Sequence, residues 1–207
     1  MRIIAGQHRG RRLLAPEGTA TRPTGERMRQ ALFDMLWHAP YAGREAIQGA
    51  LVLDAFAGTG ALGLEALSRG AASVTFIEQD RAALPALRAN IASLKAEAAC
   101  NVLGADATRP PRAKAACGLV FLDPPYGRDL VPRSLEALAA AGWIASDALV
   151  CAEVGREEAL ELPGFEELAE REHGAARVVV LRFGGEGGPG APPLDPAGVA
   201  EPPRTPA

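Results

Sequence analysis

Leu51-Val-Leu-Asp54-Ala-Phe-Ala-Gly58-Thr-Gly60-Ala-Leu-Gly63 is the stretch on which the reading of this 207-residue chain turns. Residues 51–55 form an apolar run of strand length, and residues 60–69 carry a helical pattern. The glycines therefore sit between a strand and its helix, where they permit a tight turn and let a ligand approach the backbone. The free amides of the helix N-terminus face the same point. Working outward, further strands are expected at 73–78, 101–105, 118–123 and 148–154, with helices at 80–95 and 129–141. This alternation predicts a Rossmann-like α/β fold, a mostly parallel sheet with helices on both faces. Residues 165–172 and 175–183 flank His173-Gly174 and complete seven strands as a closing pair, one of which can insert antiparallel.

Read literally, Gly58-x-Gly60-x-x-Gly63 is also the dinucleotide fingerprint, with Glu78 twenty residues after Gly58. An NAD-dependent oxidoreductase is therefore one reading of the loop. Three carboxylates favour another nucleoside cofactor, S-adenosylmethionine. Asp54 precedes the loop, where it would repel a pyrophosphate but suits a cationic ammonium or sulfonium. Glu78 ends the second strand and can accept both ribose hydroxyls, while Asp106 follows the third and can accept from an adenine amino group. All fall at carboxyl ends of neighbouring strands, the crevice where open α/β sheets bind ligands. The expected cofactor contacts are Asp54, Ala55, Phe56, Ala57, Gly58 and Gly60, then Glu78 with Gln79, Asp106 with Ala107, and Asp123.

Asp123-Pro124-Pro125-Tyr126 follows the apolar residues 118–122, so it too leaves the sheet at a strand's carboxyl end. Two prolines cannot continue a ladder, and the backbone must exit in a stiff, extended turn. Such a turn presents a carboxylate, carbonyl oxygens and an aromatic ring to one point, a receptor for a flat amino compound. Asp123, Pro124, Pro125 and Tyr126 are accordingly the candidate catalytic residues. Guanine offers adjacent N1–H and N2–H donors that a carboxylate can accept as a pair, whereas adenine offers one donor beside an acceptor.

The net charge of −3 conceals a segregation. Residues 1–30 carry seven arginines (2, 9, 11, 12, 22, 27 and 29) against Glu17 and Glu26, while the remainder holds 15 basic and 23 acidic groups. A basic arm on an acidic body suits a catalytic domain that grips a polyanion through one appendage, with a merely solvated arginine surface as the alternative. Residues 2–14 alternate around Gly6 and Gly10 and predict a short hairpin. Thr24 is a candidate N-cap for a helix over 25–38. The three cysteines are far apart, as are the three histidines, so neither a disulfide nor a metal site is expected. No apolar stretch is long enough to span a membrane and no secretory signal is visible, which points to a cytoplasmic protein. Three parts are expected: a basic extension over 1–43, a catalytic domain over 44–183, and a disordered Gly/Pro-rich tail over 184–207.

Together, residues 54–63, Glu78, Asp106 and Asp123-Pro-Pro-Tyr126 resemble the motif set of class I S-adenosylmethionine-dependent amino-methyltransferases. Arg2-Ile-Ile-Ala-Gly6-Gln-His-Arg-Gly-Arg-Arg-Leu13 and Thr21-Arg22-Pro23-Thr24-x-x-Arg27-x-Arg29-x-x-Leu-Phe33 narrow the resemblance to the RsmD family, as does residues 60–70. That resemblance covers about residues 1–183. It implies a class I methyltransferase fold acting on the N2 amino group of a guanine in 16S ribosomal RNA, with the small subunit or an assembly intermediate as partner. It also implies RNA contacts by Arg9, Arg11, Arg12, Arg22, Thr24, Arg27 and Arg29, and a monomeric enzyme. Acidic versions of the tetrapeptide also serve adenine methylation. An amino-methyltransferase acting on adenine-N6 or on a protein glutamine is therefore the nearest rival, and a noncatalytic RNA-binding module is a further one.

Overall fold

Strand β1 (Leu51–Ala55) lies at the middle of a seven-stranded sheet, because its buried residues need cover on both faces and partners on both edges. On one side it pairs in parallel with β2 (Ser73–Ile77), which pairs with β3 (Cys100–Leu103). On the other side it pairs with β4 (Cys117–Leu122), followed by β5 (Ile144–Gly155). Strand β7 (Ala176–Phe183) inserts antiparallel between β5 and β6 (Phe165–His173), giving the order β3-β2-β1-β4-β5-β7-β6. The composition of the last two strands explains which is inside: β7 carries the unbroken run Val178-Val-Val-Leu181, whereas β6 is studded with glutamates and forms the edge. The computed structural model describes residues 1–15 and 23–184. Arg22 and the tail beyond Gly184 lie outside them, as does the side chain of Thr24.

Helices α1 (Pro23–His38), α2 (Ala61–Ser68) and α3 (Ala83–Ser93) cover one face. Their Phe33, Leu36, Leu64, Leu87 and Ile91 pack on Val52, Val74, Phe76, Leu119 and Phe121 from alternate strand positions. Helix α4 (Leu130–Ala140) covers the other, its Val131, Leu135 and Leu138 meeting Leu53, Val120, Leu122 and Val150. The sheet order reverses between β1 and β4, the topological switch point where a ligand crevice is expected. Residues 1–15 and 23–43 join the main body directly, with Ile3, Leu13, Leu32 and Phe33 in the same core layer as Phe76 and Phe121.

Residues 2–14 double back as a short twisted hairpin: an antiparallel bridge joins Arg2 and Arg12, Ile3 N–H donates to the Arg11 carbonyl at 2.9 Å and Leu13 N–H to that of Met1 at 3.0 Å, with Gly6 and Gly10, both at positive φ, turning the segment between them. Two local expectations are corrected. Helix α1 begins at Pro23, so Thr24 lies in its first turn and is not the N-cap; proline's fixed φ and missing N–H suit that first position. Strand β5 starts at Ile144, four residues before the apolar run, because Asp147 adopts a left-handed conformation and the register with β4 shifts there. Among the described residues, no helix is long and apolar enough to cross a membrane and no cluster of His, Cys, Asp and Glu could hold a metal ion.

Candidate active site

In-register pairing carries the site acids to one rim. Ala55 lies beside Ile77 and Leu122, and Leu122 lies beside Ala152. The next residues, Phe56, Glu78, Asp123 and Glu153, therefore emerge together at the carboxyl edge. A cleft of about 340 Å³ opens there between α1, the glycine loop and the ends of β4 and β5. Asp54, Phe56, Ala57, Gly58, Thr59, Asp123 and Glu153 line it, with Met28, Leu32 and Leu62 as apolar walls.

The loop is tied from below. Gly63 N–H donates to Asp54 Oδ2 at 2.8 Å, and Gly58 N–H donates to Glu78 Oε2 at 2.6 Å. Asp80 N–H donates to the other oxygen of Glu78, also at 2.6 Å. The glycines divide the work: a Cβ on Gly60 would stand 2.5 Å from Leu87, and one on Gly63 would stand 2.5 Å from Phe76. Gly60 and Gly63 therefore serve close packing, while Gly58 faces open space and lines the cleft. Complete burial pushes the Asp54 carboxyl up to about 8, against the opposing pull of its Gly63 bond.

The Asp123-Pro-Pro-Tyr126 exit is held by two glutamates of the neighbouring strand and its loop. Tyr126 O–H donates to Glu153, and Glu158 accepts from the amides of Gly127 and Gly155, each at 3.3 Å. Pro124 is buried, while Asp123, Pro125 and Tyr126 are exposed to solvent. Although Asp123 stays open at the cleft mouth, the protein crowding around its carboxyl and the facing Glu153 carboxylate push it up to about 7. Glu153 is likewise raised, first by burial, while Tyr126 and His173 pull it back.

Other expected contacts stand apart. Ala55 packs into the core beneath the crevice, and Gln79 is exposed beyond Glu78. Asp106 follows β3 and does not line the cleft; its Oδ1 accepts from the Thr108 amide and hydroxyl at 2.8 Å, and Ala107 is buried beside it.

The arginine arm splits into surface and interior. Arg9, Arg11, Arg12 and Arg27 are exposed, with Arg11 Nη2 donating to the Ser93 carbonyl at 2.5 Å. Arg29 is buried: it donates to the Arg2 carbonyl at 2.7 Å and lies 3.9 Å from Glu65, so it braces the arm from within. Glu65, fully buried in α2, accepts from the amides of Ile4 at 2.7 Å and Ala5 at 3.0 Å and from Arg69 at 2.8 Å. Ser68 binds the same arm through Ala5, Gln7 and His8. Asn90 fastens the other end, exchanging hydrogen bonds with the Leu14 backbone and donating to the Thr59 carbonyl. Glu65, Asn90, Glu153 and Arg171, which borders a groove with Arg2, Arg9 and Arg27, were not singled out from sequence. The signal for Glu65 was an acid inside the apolar run Ala61-Leu-Gly-Leu-Glu65-Ala-Leu67, and for Glu153 an acid at the end of Leu149-Val-Cys-Ala152.

The profile of a family described as "Conserved hypothetical protein 95" matches residues 1–182. "Ribosomal RNA small subunit methyltransferase D" of Escherichia coli strain K12 is 44% identical over 161 residues, covering 77% of each chain. The protein of the same name from Haemophilus influenzae is 36% identical over 167 residues, covering 79% of this chain and 83% of its own. Among solved structures, the yhhF protein of Escherichia coli superposes with a TM-score of 0.76 at 37% identity, covering 90% of this chain and 99% of that one. The family match spans the arm, the glycine loop and the Asp-Pro-Pro-Tyr strand alike, and with these identities the chain belongs to the ribosomal RNA small subunit methyltransferase D family.

Proposed function

We propose that this chain transfers a methyl group from S-adenosylmethionine to the exocyclic N2 of a guanine in 16S ribosomal RNA, within the small subunit or an assembly intermediate. The observation that carries this reading is the single cleft lined by the glycine loop, Asp54 and Asp123. The donor set fits the cofactor. Asp54 and Asp123 offer carboxyl oxygens to its cationic end, whose charge would draw both toward the ionised form, and Phe56 and Leu62 offer apolar walls. Each Glu78 oxygen already accepts one backbone amide and keeps a lone pair for a ribose hydroxyl. Asp106 keeps Oδ2 for an adenine amino group, since both of its bonds fall on Oδ1.

When bound, S-adenosylmethionine supplies a methyl group on cationic sulfur, so that transfer forms the N2–C bond as the C–S bond breaks. The chain's part is positioning and charge. Guanine N2 is a weak nucleophile because its lone pair is delocalised, and holding it in line can supply much of the acceleration. Asp123 and the Pro124 carbonyl accept from the amino group, keep its lone pair directed at the methyl carbon and stabilise the positive charge that develops. Asp123, raised to about 7, is then suited to take the proton that nitrogen releases near neutral pH. Tyr126 gives the base a stacking surface worth about 1–3 kcal/mol. Exposed Arg9, Arg11, Arg12 and Arg27 engage phosphates and offset the few kcal/mol needed to unstack the base. The enzyme acts in the cytoplasm as a monomer.

The test is methyl transfer from labelled S-adenosylmethionine to small subunits of a strain lacking this gene, followed by mapping of the modified nucleotide. Label recovered as N2-methylguanosine at one position is the expected result, and transfer to adenine or to protein would overturn the assignment.

A further inference from the structure

Glu153 is the one acid of the cleft to which the mechanism above gives no task. It follows Ala152, the β5 partner of Leu122, so its Cα stands beside that of Asp123 and both side chains line the same cavity. One of its oxygens, Oε1, accepts from Tyr126, the proposed stacking platform; that bond does not engage Oε2, and His173 is the other group that acts on the carboxylate. A base lying on Tyr126 with its amino group on Asp123 would present its next ring atom toward Glu153. In guanine that atom is N1, which carries a hydrogen; in adenine the ring nitrogen beside the amino group is a bare lone pair.

We infer that Glu153 is a specificity-determining residue that accepts the N1–H of the target guanine while Asp123 accepts its N2–H. Two adjacent carboxylates then read two adjacent donors. A base with an acceptor at N1 meets lone pair against lone pair, which costs more than a missing bond alone. The inference rests on the guanine-N2 reading of the same cleft and extends it from the reacting nitrogen to the neighbouring ring position.

The probe is 2-aminopurine, which keeps the exocyclic N2 amino group but has a lone pair at N1. Small subunits are assembled from 16S RNA ligated with guanine or with 2-aminopurine at the mapped position, and kcat/KM is measured on both. The unaltered enzyme is expected to prefer guanine by roughly 10- to 100-fold, the usual range for one well-placed base contact. Glu153→Gln, whose amide can donate to a bare N1, is expected to reduce that preference about tenfold or more. Tyr126→Phe removes the bond to Glu153 but not the carboxylate, and is expected to slow both substrates while keeping the preference. Equal rates on the two bases with the unaltered enzyme would overturn the inference. So would an unchanged ratio in Glu153→Gln, or a ratio altered as much by Tyr126→Phe, which would reduce Glu153 to an anchor for the ring. Absence of any guanine methylation by the unaltered enzyme would instead sink the reading beneath it.

Discussion

Replacing Glu65 by alanine tests whether the arginine arm is held by one buried carboxylate. The side chain has no solvent contact, pairs with Arg69 at 2.8 Å and stands 3.9 Å from buried Arg29. It also accepts the amides of Ile4 and Ala5 at 2.7 and 3.0 Å. Deletion strands two guanidinium groups and two backbone donors in a space that water does not reach. Removing one partner of a buried pair costs about 3–5 kcal/mol, and the orphaned amides overlap with that figure because the same two oxygens serve the ion pairs and both amides. For a chain of this size each kcal/mol lowers Tm by about 2–4 °C, so the expected loss is about 6–20 °C. Thermal and urea unfolding give the global effect. Amide exchange at Ile4, Ala5, Gln7 and His8 gives the local one, which should exceed that at Val52 and Val120 in the central strands. Glu65→Gln keeps the shape and one acceptor but not the charge, and should fall between alanine and the parent. A Tm within about 2 °C of the parent, with protection of Ile4 and Ala5 unchanged, would refute the assignment of Glu65 as the clamp.

Other outcomes follow from the same geometry. Asp123→Ala should lower kcat by about 10²–10³ while cofactor affinity, measured by calorimetry, falls by a smaller factor because Asp54 and the glycine loop remain; normal turnover would remove Asp123 from the mechanism. Since the Asp123 carboxyl is raised to about 7 and its ionised form is the acceptor, kcat/KM should climb with pH through that value, and a flat profile from about pH 6 to pH 8 would contradict it. Asp54 has the opposite consequence for stability. Its folded carboxyl, raised from 3.8 to about 8, holds a proton that the unfolded chain has lost, so stability should fall as pH rises across that window. Asp54→Asn, which keeps an acceptor for Gly63, should flatten the urea midpoint between pH 5 and pH 8 by about that dependence. Gly6→Ala places a Cβ 1.7 Å from the Ser68 carbonyl oxygen at a φ of +78°, so the arm should undock and limited proteolysis should cleave first within residues 1–15.

The parallel sheet was legible because each strand is an apolar run bounded by a glycine turn or a helix, a pattern with a period of its own. The site acids were legible for a related reason: Glu78 and Asp123 stand just beyond the end of such a run, and Asp54 interrupts its own beside the glycine loop, where an acid in an apolar strand calls for a task. The arm was legible only as a hairpin, without its anchor. Ile4 and Ala5 read as strand, but their amides bond a carboxylate 61 and 60 residues away, a partner that local alternation does not reveal. Arg29 was read as a surface cation from its charge, although its spacing of four and seven residues from Phe33 and Leu36 places it on the buried stripe of α1. Glu153 went unassigned because an acid at a strand end has many uses, and only the register with β4 brings it to Asp123.

Helix α2 is eight residues long, and both of its ends are spoken for. Its first turn closes the glycine loop through the Gly60 carbonyl, and its last turn grips the arm through Glu65 and Ser68. At about 1.5 Å per residue the two grips are separated by roughly one and a half turns, with no hinge between them. The helix thus acts as a fixed ruler whose length is also a phase. One residue added between Ala61 and Glu65 would carry the arm about 1.5 Å outward and swing it about 100° around the helix axis, away from its present seat. Insertions that a surface loop would absorb are barred here, and a chimaera that exchanges the arm must exchange α2 with it.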